Sequence, residues 1–392
     1  MCFSLTRFPF NSNLTNMKKY DLIVCGGGIA GCAAALAAAR RGVKTALVEK
    51  TIWPGGLATS GLVLVYLPIC DGHGHQEMFG ITEELLKVAN QYGPVDVSTD
   101  WKVGKGRYQV HFSPAAFVLA LDELLEKAGV DVWLDTLLLG AERDGEGIAT
   151  VTVANKSGIL KLEAKMFVDA TGDADLSAFA GEQLQLATNS LVTWVVEHRE
   201  AQDSSAFTFG EKVSTLIQAE PINNAYTEPG VNGRMVSTFV LEGRRRYRQA
   251  LLDDYASGRE DRHTRYPMLL PTMPPLRHTR CAVGKYVLDN GMREARFPDC
   301  IGMASEWRGC GLAQRIPYRA LLPLRNRNLL LAGRCISSIN DAWELTRVIP
   351  AAALTGEVAG IAAALSLKAN VTPDDLPFDQ LAGELKEQHF LL

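Results

Sequence analysis

The 392-residue sequence has eight cysteines but no C-x-x-C pair. Without that spacing, neither a cysteine-type zinc site nor a redox dithiol is predicted, and the irregular spacing argues against a disulfide framework. We therefore expect no metal site, free thiols and a reducing, cytoplasmic environment. Cys25 and Cys32 flank a glycine-rich turn where a small apolar side chain is needed, so packing is their favoured role and redox chemistry the alternative.

The sequence also lacks a basic excess and a long apolar run. Its 40 Lys and Arg residues stand against 44 Asp and Glu residues, a formal net charge of −4, which favours neither a nucleic-acid partner nor an anionic membrane surface. The run Leu62–Cys70 is too short to span a bilayer, and Ala351–Leu367 is interrupted by Thr355, Gly356 and Glu357. We predict no membrane insertion.

Residues 1–16 contain no continuous apolar stretch and make a poor signal peptide. We expect this N-terminal extension to be loosely held. The sequence Met17-Lys18-Lys19 leads directly into the first predicted strand, so a start at Met17 is an alternative to a start at Met1.

A glycine-rich turn joins a predicted strand, Tyr20–Cys25, to an alanine-rich helix, Ile29–Arg41, and a second strand, Val43–Glu49, follows. The turn has the pattern Gly26-x-Gly28-x-x-Gly31. In such a βαβ unit the first glycine permits the tight turn, the second lets the backbone approach a pyrophosphate, and the third lets helix and strand pack closely. Glu49 stands where an acid binds ribose hydroxyl groups. The pattern predicts an adenosine dinucleotide, with a glycine turn that binds nothing as the alternative.

Capping residues and hydrophobic periodicity predict further elements. Ser113–Gly129 should be a helix that is capped by Ser113, has Pro114 in its first turn and ends at Gly129. The same reasoning predicts strands at Gly158–Leu162, Met166–Ala170, Leu191–Val196, Met235–Leu241 and Asn328–Ala332, and helices at Pro350–Leu367 and around Leu381 and Leu385.

Five stretches resemble parts of known flavoproteins. Asp21–Glu49 resembles the FAD-binding opening of the glutathione-reductase-type flavoproteins, and Pro54–Gly61 resembles the second contact loop of the succinate dehydrogenase and fumarate reductase branch. Val168–Asp173 is similar to the A-T-G element on the adenine side, and Leu329–Cys335 to the late strand that reaches the flavin ribityl chain. Thr346–Pro350, with the small residues after it, resembles the last helix under the flavin. Together they resemble the FAD-dependent oxidoreductase family.

The resemblance implies an α/β fold: a Rossmann-like FAD-binding domain with a parallel sheet, plus a smaller inserted substrate or capping domain that contains sheet. We expect the FAD-binding domain to be discontinuous, over 17–184 and 311–371, the insert to span 185–310, and residues 372–392 to form a tail. No histidine precedes Gly55-Gly56, so FAD should be bound without a covalent link. Many related flavoproteins have an acid after the late glycine, but Arg334 stands there, and no ribityl-binding carboxylate is carried over.

The resemblance also implies which residues contact FAD. They come from the glycine loop, the second contact loop, the middle strands, the late strand and the last helix: Gly26, Gly28, Ile29, Ala30, Gly31, Glu49, Lys50, Gly55, Gly56, Leu57, Ala58, Thr59, Ser60, Leu138, Ala170, Thr171, Gly172, Asp173, Gly333, Arg334, Arg347, Val348 and Ala351.

Three residues are candidates for catalysis. Arg347, at the start of the last helix, would stabilise the negative charge of reduced flavin, with a structural salt bridge as the alternative. His73, in the turn Asp71–His75, would shuttle a proton, although a solvated hairpin tip is the favoured interpretation. A metal site built from His73 and His75 is less expected still, because two ligands do not complete one.

Arg280 is the third candidate, and it stands beside Arg277 and His278 ahead of a predicted strand. Arg308 and Arg315 flank a glycine-rich turn. Arginines bind carboxylate or phosphate groups well, so any of these could hold the substrate. The alternative is a set of salt bridges between the two domains.

We predict an enzyme that transfers a hydride between a small organic substrate and FAD through flavin N5. The first alternative is a flavin monooxygenase or halogenase. The second is an FAD-bearing electron-transfer subunit that acts with a protein partner. A disulfide reductase is disfavoured, because the chain has neither a second G-x-G-x-x-G nor a C-x-x-C. Homo-oligomerisation remains open.

Overall fold

The computed structural model of the chain describes residues 17–93, 97, 109–189, 191–199, 213–217, 230–290 and 295–392, with only the backbone at 213–217. The predicted N-terminal extension, 1–16, lies outside the described residues.

Strands and helices are numbered in chain order. The strands are β1 Lys18–Cys25, β2 Thr45–Val48, β3 Val65–Tyr66, β4 Val110–His111, β5 Asp131–Trp133, β6 Leu137–Asp144, β7 Gly147–Asn155, β8 Gly158–Asp169, β9 Leu184–Leu186, β10 Thr193–Arg199, β11 Val213–Ile217, β12 Arg265–Leu269, β13 Arg280–Ala282, β14 Cys300–Ser305, β15 Ala313–Pro317 and β16 Leu329–Leu331. The α-helices are α1 Ile29–Ala39, α2 Ile81–Val88, α3 Pro114–Ala128, α4 Asp175–Phe179, α5 Gly233–Ala256, α6 Asn340–Thr346, α7 Ile349–Ala369 and α8 Phe378–Glu387.

The main sheet has the strand order β5-β2-β1-β8-β7-β6, and β16 also pairs with β8. Strands β5, β2, β1, β8 and β16 run parallel, whereas β6 and β7 form an antiparallel hairpin next to the first half of β8. Helices cover this sheet, and its parallel strands are short and apolar, as is typical of doubly wound proteins. The predicted α/β fold with a Rossmann-like parallel sheet is confirmed.

One predicted break in the sheet is wrong. Gly158–Leu162 and Met166–Ala170 were expected to be two strands, but β8 is continuous from Gly158 to Asp169. The polar residues between them stay in register with β1, where Glu163 pairs with Lys19 and Ala164 with Tyr20. The charged side chains of Glu163 and Lys19 meet at 3.0 Å on the outer face, so polarity does not interrupt the ladder.

Helices α1 and α7 pack against each other at a distance that only small residues allow. A Cβ atom on Gly356 would lie 2.1 Å from the carbonyl oxygen of Ala30, and one on Gly360 would lie 2.2 Å from that of Ala34. α7 is long and apolar enough to cross a membrane, but 94% of its most apolar window is buried inside the protein. It therefore has the surroundings of a core helix.

The segment predicted to form the insert contains a sheet, with β10 between β11 and β12 in antiparallel order. Met235–Leu241, however, was expected to be a strand and lies inside helix α5. Asn232 caps this helix, because its side chain accepts the N–H groups of Arg234 and Met235. The buried residues recur every fourth position, at 239, 243, 247 and 251, so helical burial of the longer segment overrides the local alternation.

The ends of two further helices agree with their sequence signals. The side chain of Ser113 accepts the Ala116 N–H at the start of α3, and Gly129 ends that helix in the left-handed conformation. The predicted helix near the C-terminus is α8, which buries Leu381 and Leu385. The division at residue 310 stays a prediction, since the antiparallel pair β14 and β15 lies on both sides of it.

We predict that Gly356→Ala destabilises the protein by about 1–3 kcal/mol, because its new methyl group would overlap the Ala30 carbonyl and force α1 and α7 apart. Gly383→Ala is the matched control, because Gly383 is an exposed position in α8 with nothing within 4 Å of the added atom. The Gly383→Ala variant should be about 0.5–1 kcal/mol more stable than the wild type, because alanine has a higher helix propensity than glycine. Denaturant unfolding measures both, and a Gly356→Ala variant as stable as the wild type would contradict this packing.

Candidate functional site

A cleft lies at the carboxyl edge of the parallel sheet, where β1, β2, β8 and β16 end. Its larger cavity has an empty volume of about 680 Å³, including the open space at its mouth. The lining residues come from the loops that follow these strands and from the starts of two helices: Gly26, Gly28, Ile29, Ala30, Glu49, Lys50, Gly55, Gly56, Leu57, Ala58, Ala170, Thr171, Gly172, Met273, Ala332, Gly333, Arg334, Arg347, Ile349 and Ala352. This edge is where open α/β sheets bind ligands.

The glycine loop is shaped by close backbone contacts. Gly26 has φ +100°, and a Cβ atom there would lie 2.3 Å from the Ala170 carbonyl oxygen. A Cβ atom on Gly31 would lie 1.7 Å from the carbonyl oxygen of Gly26. The hydrogen atoms of Gly28, by contrast, face open space, with nothing within 4 Å of an added Cβ. The loop therefore offers bare backbone to the cleft, as a pyrophosphate requires.

The second loop joins the first directly. The Gly55 N–H donates to the Gly27 carbonyl oxygen at 2.7 Å, and a Cβ atom on Gly56 would lie 3.0 Å from the Cα atom of Gly28. Both Gly55 and Gly56 have positive φ. Glycine is needed at this junction because the two loops meet backbone to backbone.

Two helices begin at this cleft. Gly28, which has no side chain, precedes α1, and the apolar Val348 precedes α7, so neither supplies a side-chain cap. The N–H groups of the first turn and the helix dipole are thus left for an anion. The lining also contains Lys50, Arg334 and Arg347, of which Arg334 pairs with Asp173 and Arg347 with Glu344. The cleft favours a ligand with negative charge.

Glu49 is the carboxylate of the larger cavity's lining, and it is held rigidly. Its Oε2 accepts the Gly27 N–H at 2.6 Å, while Oε1 accepts both the N–H and the hydroxyl group of Thr51 at 2.8 Å. Gly27 has to be glycine here, since a Cβ atom would lie 2.7 Å from the Cβ of Glu49. The carboxylate is fixed beside the glycine loop, where it has acceptor capacity left for a hydroxyl group.

A second cavity of about 370 Å³ continues from Glu49. It shares four residues with the larger cavity, and its full lining is Gly26, Val48, Glu49, Lys50, Thr136, Leu137, Leu138, Thr171 and Asp175. Side by side, the two cavities suit an extended dinucleotide better than a compact ligand.

Asp169 connects the loops of the site through hydrogen bonds to its carboxylate. Its side chain is fully buried, and Oδ1 accepts the N–H of Thr171 at 3.1 Å and its hydroxyl group at 2.7 Å. Oδ2 accepts the N–H and hydroxyl groups of Ser177 at 2.8 and 2.6 Å. The thiol of Cys335 donates to Oδ1 at 3.6 Å and accepts the Gly172 N–H at 3.1 Å. One carboxylate thereby positions both the Thr171–Gly172 turn and the end of the late loop, Gly333–Cys335, which follows β16.

Comparison with known proteins agrees with this site. The family model of the FAD dependent oxidoreductases matches residues 21–192 and 310–385, which is more than half of the chain. The chain belongs to the FAD dependent oxidoreductase family. FAD is its cofactor, and the glycine loop, Glu49, the Thr171–Gly172 turn and α7 all lie within the matched segments.

The FAD dependent oxidoreductase also resembles individual curated proteins. It is 30% identical to a digeranylgeranylglycerophospholipid reductase of Picrophilus torridus over 46% of each chain, and 27% identical to that of Thermoplasma volcanium over 45% of this chain and 46% of the relative. A tryptophan 2-halogenase of Chondromyces crocatus is 29% identical over 44% of this chain and 34% of its own length. The chain thus spans about half, or less, of the length of these relatives.

Among solved structures, the geranylgeranyl bacteriochlorophyll reductase-like protein of Thermoplasma acidophilum superposes with a TM-score of 0.51. The match covers 96% of this chain and 85% of that one, at 18% identity. At this identity the likeness supports a shared fold.

Most of the sequence-predicted FAD contacts of this family member line the two cavities, including Leu138. Six do not. Gly31 packs against Gly26, Thr59 donates its hydroxyl to the Pro54 carbonyl, Asp173 pairs with an arginine, and Ser60, Val348 and Ala351 do not reach either lining.

The structure adds lining residues that sequence reasoning missed. Ile349 and Ala352 line the cleft, whereas Val348 and Ala351 were predicted to do so. The residues at the start of α7 that face the cleft therefore differ by one position from those predicted. Met273 comes from the segment predicted to form the insert, where no motif indicates it. Val48, Ala332, Thr136, Leu137 and Asp175 adjoin predicted residues, so only the exact bounds of each loop were missed.

Arg334, which replaces the acid of many relatives, holds three segments together. Its Nε donates to the Gly172 carbonyl at 2.6 Å, Nη2 contacts Asp173 Oδ1 at 2.8 Å, and Nη1 donates to the Leu276 carbonyl. The side chain is 8% exposed. Arg334 therefore links Leu276 to the Gly172–Asp173 turn as well as lining the cleft.

Arg347 has features of both roles considered for it, namely stabilisation of the reduced flavin and a structural salt bridge. It lines the cleft at the start of α7, and its guanidinium group pairs with Glu344. Burial lowers the pKa of Arg347, while the Glu344 carboxylate acts in the opposite direction. Its buried Nε has no partner among the described residues, so one donor remains available.

The other two catalytic candidates have different surroundings. His73 is exposed, at the tip of a turn that Asp71 organises by accepting the N–H groups of His73 and His75. Arg280 donates to the Asp173 carbonyl and pairs with Asp175 at 2.7 Å. Neither residue lines the described cavities, and their catalytic roles stay predictions. Among the described residues, no cluster of three His, Cys, Asp or Glu side chains could hold a metal ion.

We predict that Asp169→Asn weakens FAD binding. The amide can accept at only one of its two ends, so either Thr171 or Ser177 loses its acceptor and the turn shifts. A loss of about 1–3 kcal/mol corresponds to a dissociation constant about 5–150-fold higher. Titration of apo-protein with FAD, followed by fluorescence, measures it. Asp144→Asn at the end of β6 is the control, and equal affinities for the two variants would refute the positioning role.

Proposed function

We propose that this FAD dependent oxidoreductase transfers a hydride between a small organic substrate and FAD that it holds without a covalent bond. The observation that carries the proposal is the meeting, in one cleft, of the bare glycine loop, the oriented Glu49 and the starts of α1 and α7. When bound, FAD supplies the hydride-transfer chemistry, while the protein supplies position and electrostatics.

Different groups of residues would bind different parts of FAD. The backbone of Gly26 and Gly28, together with the start of α1, would hold the pyrophosphate. Glu49 would accept the hydroxyl groups of the adenosine ribose, and the smaller cavity, with Leu138 in its lining, would hold the adenine. The start of α7 and Arg347 would then lie beside the flavin ring, where they stabilise its negative charge in the reduced state.

The insert completes the active site in this proposal. Residues 17–184 and 311–371 would bind FAD, and 185–310 would cap the cleft from the side of Met273. Support comes from the backbone of Thr272, whose N–H donates to the Ser60 carbonyl at 2.9 Å next to the second FAD loop. The substrate is a small molecule that enters between the two units, and we place the enzyme in the cytoplasm.

A flavin monooxygenase or halogenase is the second candidate, favoured by the similarity to the tryptophan 2-halogenase of Chondromyces crocatus. Such an enzyme would reoxidise rapidly in air and modify the substrate. An electron-transfer subunit would instead co-purify with a protein partner and give no turnover with a dye acceptor when isolated.

We predict that the purified protein shows the absorption of oxidised flavin and releases all of its colour on acid precipitation. Among the described residues that line the larger cavity, none is His, Cys or Tyr, so no nucleophilic side chain of these types is present for a covalent link. Colour that stays with the precipitate would mean a covalent bond. A colourless protein that takes up no added FAD would refute the proposed function.

We also predict that Arg347→Ala lowers the midpoint potential of bound FAD, because the reduced, negatively charged flavin loses a cation. A charge-assisted hydrogen bond of about 1.5–3 kcal/mol corresponds to about 30–60 mV for two electrons. Glu344→Gln is the matched variant with the opposite sign, since it leaves the Arg347 charge uncompensated and should raise the potential. Spectroelectrochemical titration measures both, and an unchanged potential and turnover in Arg347→Ala would remove this role.

A further inference from the structure

One segment of the predicted insert, Thr272–His278, meets the cleft at Met273, and we call it the strap. Its start is bound to the second FAD loop, because the N–H groups of Thr272 and Met273 donate to the Ser60 carbonyl at 2.9 and 3.3 Å. The Leu276 carbonyl accepts from Arg334. The strap is therefore fixed at one end to the second FAD loop and further along to the late loop.

The end of the strap is equally well held. The side-chain oxygen of Asn189 accepts the N–H groups of both Arg277 and His278 at 2.9 Å. The imidazole ring of His278 packs on the indole of Trp343, with 4.9 Å between centroids, and its Nε2 lies 3.2 Å from Glu344 Oε1. Arg277 is thus carried on a backbone that has little freedom to move.

The charges around the strap do not balance. The guanidinium groups of Arg277, Arg334 and Arg347 share this region with two carboxylates. Asp173 is taken by Arg334 at 2.8 Å, and Glu344 is taken by Arg347. Within the part of the chain that the structure describes, Arg277 has no hydrogen bond or ion pair from its side chain, so one positive charge is left over.

His278 does not change this balance at neutral pH. Burial, above all, and the nearby arginines, including Arg277 and Arg347, together lower the pKa of His278 to about 4 against the opposing effect of Glu344. Its imidazole is therefore neutral. Arg277 directly precedes His278, whose Nε2 lies 3.2 Å from Glu344 Oε1, and the same Glu344 pairs with Arg347.

We propose that Arg277 and Arg347 form the anion-binding part of the substrate site, and that the substrate is an organic carboxylate. The inference rests on the proposed function. A guanidinium group binds a carboxylate through two parallel hydrogen bonds, and Arg347 contributes the buried Nε that has no partner among the described residues. A single carboxylate matches the single uncompensated charge, whereas a phosphate carries about two negative charges.

Three of the other arginines considered for this role are already engaged, and Arg315, on β15, lines neither described cavity. Arg280 pairs with Asp175, and Arg308 pairs with Glu306 and Asp341. Arg334 has all three of its nitrogen atoms bound. Of these candidates, Arg277 is therefore the one with a free charge beside a cleft residue.

The test compares benzoate with its neutral twin benzamide, each titrated into the oxidised holoenzyme in chloride-free buffer. Isothermal titration calorimetry gives the affinity, and the flavin absorption spectrum shows whether the ligand lies near the ring. We expect benzoate to bind at least about tenfold more tightly than benzamide. Arg277→Gln should weaken benzoate binding about tenfold or more, and Arg277→Lys should recover part of the loss, because it keeps the charge without the fork.

Arg244→Gln is the matched control, since Arg244 is exposed on α5 and its loss should leave benzoate binding unchanged. Equal affinities for benzoate and benzamide, no binding of either, or wild-type affinity in Arg277→Gln would each overturn the proposal. Inorganic phosphate that binds more tightly than benzoate would overturn the assignment to a carboxylate. A protein without FAD would refute the proposed function alone, because calorimetry on that protein still measures the anion site.

Discussion

The contact between α1 and α7 is the constraint on which the rest of the site depends. Gly356 and Gly360 bring the backbone of α7 onto the carbonyl groups of Ala30 and Ala34, so the two helices lie closer than larger side chains would permit. This packing sets both helix N-termini at the same edge of the sheet, next to the loops that end β1 and β16. A methyl group at the contact would move the positive ends of two dipoles relative to each other, so the glycines matter for function as well as for packing.

Around the contact between α1 and α7, the charged side chains differ in how many of their hydrogen-bonding groups are already bound within the protein. Asp169, deepest in the site, has all its acceptors occupied by the turn that it supports. Arg334, nearer the cleft, has each of its three side-chain nitrogen atoms bound, and Asp173, a predicted FAD contact, pairs with it and lines neither cavity. Arg347 retains one donor, its Nε, that has no partner in the described part of the chain. This order suits a flavoenzyme, because the deeper charged groups are held fixed while the outermost ones can meet the substrate and the changing charge of the cofactor.

The elements that were predicted correctly depend on residues close together in the sequence, whereas the wrong predictions concern elements that depend on distant residues. The glycine turn, the Ser113 cap and the Gly129 terminus depend on neighbouring residues, and all three were readable from the sequence. The two errors, β8 and α5, arise where pairing or burial overrides local character. The polar residues in the middle of β8 pair with β1, more than 140 residues away, and the apolar alternation of Met235–Leu241 belongs to a much longer helix.

The sequence by itself determined the fold class, the cofactor and nearly all of the loops that meet it, because a dinucleotide site is built from short motifs with fixed spacing. It did not determine which arginine has a free charge. Arg280 is neutralised by Asp175 and Arg334 by Asp173, residues 105 and 161 positions away, while Arg277 has no such partner among the described residues. A positive charge acquires its function from what surrounds it after folding, and those distant partners are decided by the tertiary structure alone.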